Sequence, residues 1–424
     1  MSHRYLVIFC LILAGEAIFA LPFHVARFFR PTLLEVFDFS NADLGDVFAV
    51  YGITAMLAYF PGGTIADRFS ARRLLAFSLI ATSIGGLYMA SVPGFLGMSV
   101  LFAYWGVTSI LLFWAALIRS TREWGGDLSQ GRAFGILDGG RGLLAAGLAS
   151  IAVVIFGTMF TVEPELVAAQ DKRAALTTVI YFYTAVTFAA GIVAWILVPD
   201  TQPSVNPGQS QTMSNVRAVL REPVIWVQAL IVICAYCGYK GLDNYALYAA
   251  EVLGMSDVDA AGFTTSNAYI RPIAAVAAGF AADRLNASRT MALLFLVVTG
   301  SYGYLGFAAP LAGGGVLLFA NIFISFAGVY GLRGVYFALL QETQVPPHLT
   351  GSAVGLISLI GFTPDIFFAA IGGRLLDNAP GLAGHQHYYL FLGSIMILGI
   401  IASVLLIYLA NRRENFRRPT ATLY

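Results

Sequence analysis

Residues 74–118 read LLAFSLIATSIGGLYMASVPGFLGMSVLFAYWGVTSILLFWAALI, 45 residues without a charged side chain. A helix needs about 20 mostly apolar residues to cross the hydrocarbon of a bilayer. The run is therefore long enough for two crossings, and Pro93-Gly94 supplies the turn between them. Strands of a membrane barrel are short and alternate polar with apolar residues, which this run does not. A second stretch, Thr290 to Leu332, is uncharged for 43 residues and is divided at Pro310 and Gly313-Gly314-Gly315.

Composition extends that reading to the whole chain. Of 424 residues, 58% are hydrophobic and 11% charged, with a mean hydropathy of +0.77; soluble chains carry about 25% charged residues. This excludes the soluble enzyme classes and predicts an integral membrane protein in contact with the lipid bilayer. The net charge of +1 gives no reason to expect a nucleic-acid partner. Cys10, Cys234 and Cys237 each lie in apolar sequence, and an odd number of such thiols predicts packing rather than disulfides. Tyr5 to Phe23 is too long for a signal-peptide core and has no A-x-A site after it, so it is expected to be retained as the first span.

Twelve spans are predicted: 5–29, 42–66, 73–92, 95–118, 132–160, 175–198, 223–248, 259–282, 289–309, 314–341, 350–376 and 387–410. An internal repeat orders them. Asp67-Arg68 before the first uncharged run and Asp283-Arg284 before the second stand 216 residues apart, and so do the starts of the two runs. The fold class predicted is all-α, with two parallel six-helix bundles at 1–199 and 223–424 joined by a polar cytoplasmic linker, 200–222. Arginine and lysine fix the orientation: with the N-terminus inside, 15 of the 24 fall in cytoplasmic loops and 5 outside, among them Arg27 and Arg30. Both termini are expected in the cytoplasm.

This arrangement resembles the major facilitator superfamily. The specific match is Gly63-Thr64-Ile65-Ala66-Asp67-Arg68 followed by Arg72-Arg73, similar to that superfamily's loop motif G-x-x-x-D-R-x-G-R-[RK]. Phe69-Ser70-Ala71 replaces the usual x-Gly and displaces the basic pair by one position; the second copy, Gly279-x-x-x-Asp283-Arg284, keeps only the front half. Gly131-Arg132-Ala133-Phe134-Gly135 through Gly140-Arg141-Gly142, with Phe77 to Thr82 upstream, is similar to the YihN-type branch of bacterial inner-membrane proteins. Leu44-Gly45 and Lys240 give a more distant likeness to organophosphate and organic-anion carriers. The resemblance implies a secondary transporter of the bacterial inner membrane, rocking one half against the other. It also implies a central cavity lined by the first, fourth, seventh and tenth spans. In the cytoplasmic loops Gly63, Asp67, Arg68, Arg72, Arg73, Asp283 and Arg284 are expected to gate, either latching the halves in one state or only enforcing orientation.

Charges inside spans are costly unless paired or wet, and so mark function. Four cations, Arg141, Lys240, Arg271 and Arg333, and four acids, Glu16, Asp138, Asp243 and Asp365, lie at such depth and sum to zero. Asp138/Arg141 and Lys240/Asp243 are each three residues apart on one helix face, either self-neutralising pairs or ligands. The other four need partners elsewhere. Arg333, Arg141, Lys240, Arg271 and the deep Trp114 are the candidate substrate-binding residues. Glu16 and Asp365 are the candidate proton-coupling residues, since taking a carboxylate out of water favours its protonated form. Tyr104, Tyr236, Tyr239, Tyr245, Tyr330 and Tyr336 either stack on a solute or pack. His24, His348, His385 and His387 are placed at membrane edges.

No nucleotide-binding loop, metal-ligand set or nucleophile–base constellation is present, so no cofactor, metal or enzymatic activity is expected. The predicted function is proton-coupled symport of a small organic anion by a monomer. The alternatives are an exporter of neutral or cationic compounds, with Glu16 and Asp365 binding the substrate, or a non-transporting sensor.

Overall fold

The computed structural model describes residues 2–66, 68–126, 130–160, 169–200, 217–308, 315–342 and 350–417; these are helical apart from short turns. We label α1 (Arg4–Phe28), α2 (Asn41–Ala66), α3 (Ala71–Met89), α4 (Phe95–Gly125), α5 (Gln130–Thr158) and α6 (Ala169–Leu197). In the second half α7 is Pro223–Glu251, α8 is Asp257–Ala268 with Ile270–Leu285, and α9 is Ala287–Phe307. They are followed by α10 (Val316–Val335), α11 (Thr350–Gly361 with Pro364–Asp377) and α12 (Leu382–Arg417). Among the described residues nine helices are long and apolar enough to cross a membrane. Helices also stand at the other three predicted positions, α2, α3 and α8; α3 opens with Arg72 and Arg73, and α8 carries Asp257, Asp259 and Arg271.

Local chemistry sets the helix ends. Ser40 and Asp43 cap α2 reciprocally, each accepting from the other's backbone N–H (3.0 and 2.9 Å). Ser256 caps α8 at the Asp259 N–H, 3.1 Å. Gly126 stops α4 at φ +64°, a conformation that costs glycine nothing. The helices bury one face and turn another outward, where Leu57, Leu96, Val154 and Val316 meet lipid. Core residues cluster within the first half around Leu44, Trp105 and Tyr183 and around Leu11, Leu75 and Phe113, and within the second around Tyr245, Phe295 and Tyr389. All three cysteines are buried and unbonded to one another.

The two halves meet tightly at the end of the bundle opposite the N-terminus, the far side. There α2 and α11 touch backbone to backbone: a Cβ at Gly45 would collide with the Ala369 carbonyl, and one at Gly373 with that of Asn41. Arg374 holds Asp46 at 2.8 and 3.0 Å; Asp257 accepts from Thr32 (2.8 Å) and pairs with Lys172 (3.4 Å), which also holds Glu35. The far side is closed. Within α5, Gly140 and Gly142 admit Ile12 and Arg271, as close approach requires, whereas Gly135, Gly139 and Gly147 face open space.

Candidate functional site

A cavity lined by residues of both halves lies between them. The helices around it lose α-helical regularity where they line it. Pro22 has no N–H to give, and α1 widens into a π-helical turn at Ala20–His24 that carries Phe23 and His24. A second π-helical turn, Val107–Trp114, sets Ile110 and Trp114 on the same first-half wall. In α7 the turn tightens to 3₁₀ geometry at Leu242–Asn244, next to Lys240. The break in α11 before Pro364 places Phe362, Thr363 and Asp365.

The charges form three groups. On the first-half wall, Arg141 Nε donates to Glu16 Oε2 at 3.1 Å and His24 Nε2 bonds Glu16 Oε1 at 3.0 Å. Phe19 and Trp114 lie 5.5 and 5.9 Å from the Arg141 guanidinium. Across the halves, Arg27 donates to Asp243 (2.5 Å) and to the Tyr239 hydroxyl (3.0 Å); Lys240 stands 3.6 Å from Asp243 and 3.3 Å from Asp365. Asp365 also accepts from Tyr236, and the Lys240 ammonium lies over Phe23 at 4.3 Å. The third pair, Arg271 with Asp138 at 2.8 Å, joins α8 to α5 outside the cavity lining.

Arg333 differs from these. It lines the cavity, its guanidinium lies 4.1 Å from the Tyr239 ring centroid, and among the described residues no carboxylate is within ion-pair distance of it.

Several expectations need correcting. Asp138 and Arg141 do not pair with each other: Asp138 reaches across to Arg271 and Arg141 to Glu16, because partners on neighbouring helices are nearer than the next turn of α5. Lys240 and Asp243 do pair, but each has a second partner. Arg27, assigned to an outer loop, is buried in the cavity wall, and the charged residues lining the cavity, Arg27, Arg141, Lys240 and Arg333 with Glu16 and Asp365, sum to +2. His24 lies within α1 beside Glu16, and His385 is fully buried against Glu251 at 3.0 Å. Of the tyrosines, Tyr236 and Tyr239 line the cavity, Tyr330 packs on Tyr239, Tyr245 bonds Ser325 in the core, and Tyr104 bonds the Ala81 carbonyl at 2.7 Å. The missed residues had signals: Pro22 inside the first span marks the π-helical turn, and Arg27 with Asp243 repeats the 216-residue offset.

Of the loop motif, Asp67 lies outside the described residues. Arg72 donates to the Val198 carbonyl at 2.6 Å within the first half; Arg68, Arg73, Asp283 and Arg284 are exposed.

Against known proteins, the model of the Major Facilitator Superfamily matches residues 6–369. The chain belongs to the major facilitator superfamily. It is 26% identical to the inner membrane protein YihN of Escherichia coli K12, covering 96% of both chains. It is 27% identical to YqcE of the same organism, covering 92% of this chain and 91% of that one. The fold is shared with solved structures. The nucleoside transporter NupG aligns with a TM-score of 0.72 at 13% identity over 96% of this chain and 99% of its own. A bacterial homologue of the human lysosomal transporter Spinster, inward-facing and unoccupied, aligns with a TM-score of 0.69 at 15% identity over 99% of both. Membership makes this chain a membrane transporter, and its central cavity is the place to look for the transported solute.

Proposed function

We propose that this protein is a twelve-span secondary transporter of the bacterial inner membrane that moves a small organic anion by alternating access, with protons as the coupling ion. Arg333 carries the reading: a cavity guanidinium held by a ring face and by no described carboxylate, in a wall whose charges sum to +2. Such a site is completed by an anion. Arg141 and Trp114 flank the same space and Lys240 lies across it. Glu16 and Asp365, each already bonded to a cation, are suited to exchange that bond for a proton as the anion arrives.

The exporter of cations is less well supported, because both acids it needs are engaged by Arg141 and Lys240. The excess of arginine in the loops on the N-terminal side supports a cytoplasmic N-terminus. With that orientation the closed far side is the outside, and the conformation faces inward. The two halves, 1–199 and 223–424, are the rocking bodies of this reading. The loop residues Gly63, Asp67, Arg68, Arg72, Arg73, Asp283 and Arg284 would latch when the cytoplasmic side closes.

The test is uptake of a labelled organic-anion panel into proteoliposomes under an imposed pH gradient. Accumulation of an anion that stops when the gradient is collapsed supports the proposal. Facilitated movement of cations or neutral solutes only would refute it, and ligand binding without flux would establish the sensor.

A further inference from the structure

At the far end of the cavity α1 carries Arg27, and three residues on, past the break at Phe29, the short helix Arg30–Phe37 begins with Arg30. The two are 7% and 4% exposed. Their counter-charges come from the other half of the chain. Arg27 bonds Asp243 and Tyr239. Among the described residues Arg30 has no carboxylate within ion-pair distance: its Nε and Nη2 donate to Asn41 Oδ1 at 3.2 and 3.0 Å. Asn41 passes that charge on, donating from its backbone N and its Nδ2 to Asp377 at 3.1 Å each, while Ala42 N takes the second Asp377 oxygen at 2.7 Å.

The two guanidiniums are thus balanced only while the far side is shut. Withdrawing the second half removes Asp243 and Asp377 together and leaves both arginines on one wet wall. We infer that Arg27 and Arg30 form an anion-receiving site of the far-side-open state, taking the carboxylate or phosphate oxygens of the solute in charge-assisted hydrogen bonds. When the far side closes, Asp243 and the Asn41–Asp377 relay reclaim the arginines and release the anion toward Arg333. An empty carrier that opens leaves two arginines unpaired; a loaded one does not, so the anion itself favours opening. This inference rests on the anion-transport reading above.

Leu34 packs against the cores of both halves and is partly buried between them, so its accessibility rises when the far side parts. The experiment places Leu34→Cys in a chain also carrying Cys10→Ala, Cys234→Ala and Cys237→Ala, reconstituted in phosphatidylcholine vesicles. The introduced thiol is treated with the anionic sulfonatoethyl and the cationic trimethylammonioethyl methanethiosulfonate, each rate being divided by that reagent's rate with a free thiol. We expect the anionic reagent to be favoured, the preference to fall about tenfold in Arg30→Gln and in Arg27→Gln, and Arg30→Lys to keep it. Should a glutamine variant fail to fold, the native-arginine protein decides alone: equal rates, or a cationic preference, overturn the site. A thiol that reacts with no change of preference in the glutamine variants also overturns the site while leaving the transporter intact. A thiol that reacts with neither reagent shows that the far side does not open, and alternating access fails together with this inference.

Discussion

Arg27 and Asp243 stand 216 residues apart and their side chains meet at 2.5 Å. That spacing equals the offset between the two Asp-Arg loops. The two residues therefore occupy equivalent positions in the two copies of the repeat. Equivalent positions that touch lie at the axis relating the copies, so this ion pair marks the axis where the cavity ends on the far side.

Breaking that pair from one side strands a buried charge. Arg27→Gln leaves Asp243 with Lys240 alone, and a loss of about 3–5 kcal/mol of stability is expected. Asp243→Asn should cost a similar amount, and the double variant much less than the sum. Thermal unfolding of the four proteins in detergent measures the cycle; additive losses would show that the pair is not coupled.

Gly45 and Gly373 let α2 and α11 touch at the far side. Gly45→Val or Gly373→Val should pry that seam apart and populate the far-side-open state. Labelling of Leu34→Cys by an impermeant thiol reagent should rise in these backgrounds. Unchanged labelling in folded protein would mean that the α2–α11 contact does not hold the far side shut.

Glu16 neutralises Arg141 in the resting cavity. Glu16→Gln should abolish accumulation driven by a pH gradient while leaving anion exchange, because the variant carries neither the charge nor the exchangeable proton. Concentrative uptake by this variant would remove Glu16 from the coupling mechanism.

The all-helical fold was legible because apolar length is an unambiguous signal: nine of the predicted spans fall on described helices long and apolar enough to cross a membrane. The depth of Glu16, Arg141, Lys240, Arg333 and Asp365 was equally legible, since charge within an apolar run has few uses. Partner choice was not. Spacing on one helix pointed to Asp138 with Arg141, whereas packing between helices chose Asp138 with Arg271 and Arg141 with Glu16. His24 and Arg27 were missed for a related reason. Both lie inside the predicted span 5–29 but near its end, where polar side chains ordinarily reach water; the π-helical turn of α1 and the helix Arg30–Phe37 that follows keep them buried instead. The eight span charges that sum to zero are not the set that lines the cavity: Arg27 joins it, Asp138, Asp243 and Arg271 stand outside it, and the lining sums to +2.

Arg333→Gln is the substitution on which the account turns, and ligand-induced thermal stabilisation is the measurement. The purified protein and this variant are screened against anionic, neutral and cationic metabolites at two pH values. A ligand at about 100 times its Kd stabilises by about 2.7 kcal/mol, a readable shift. The account predicts that anions stabilise the native protein, more at the lower pH, and that Arg333→Gln loses the shift while remaining folded. Stabilisation by cations or neutral compounds alone, or an anion shift undiminished in Arg333→Gln, would contradict it.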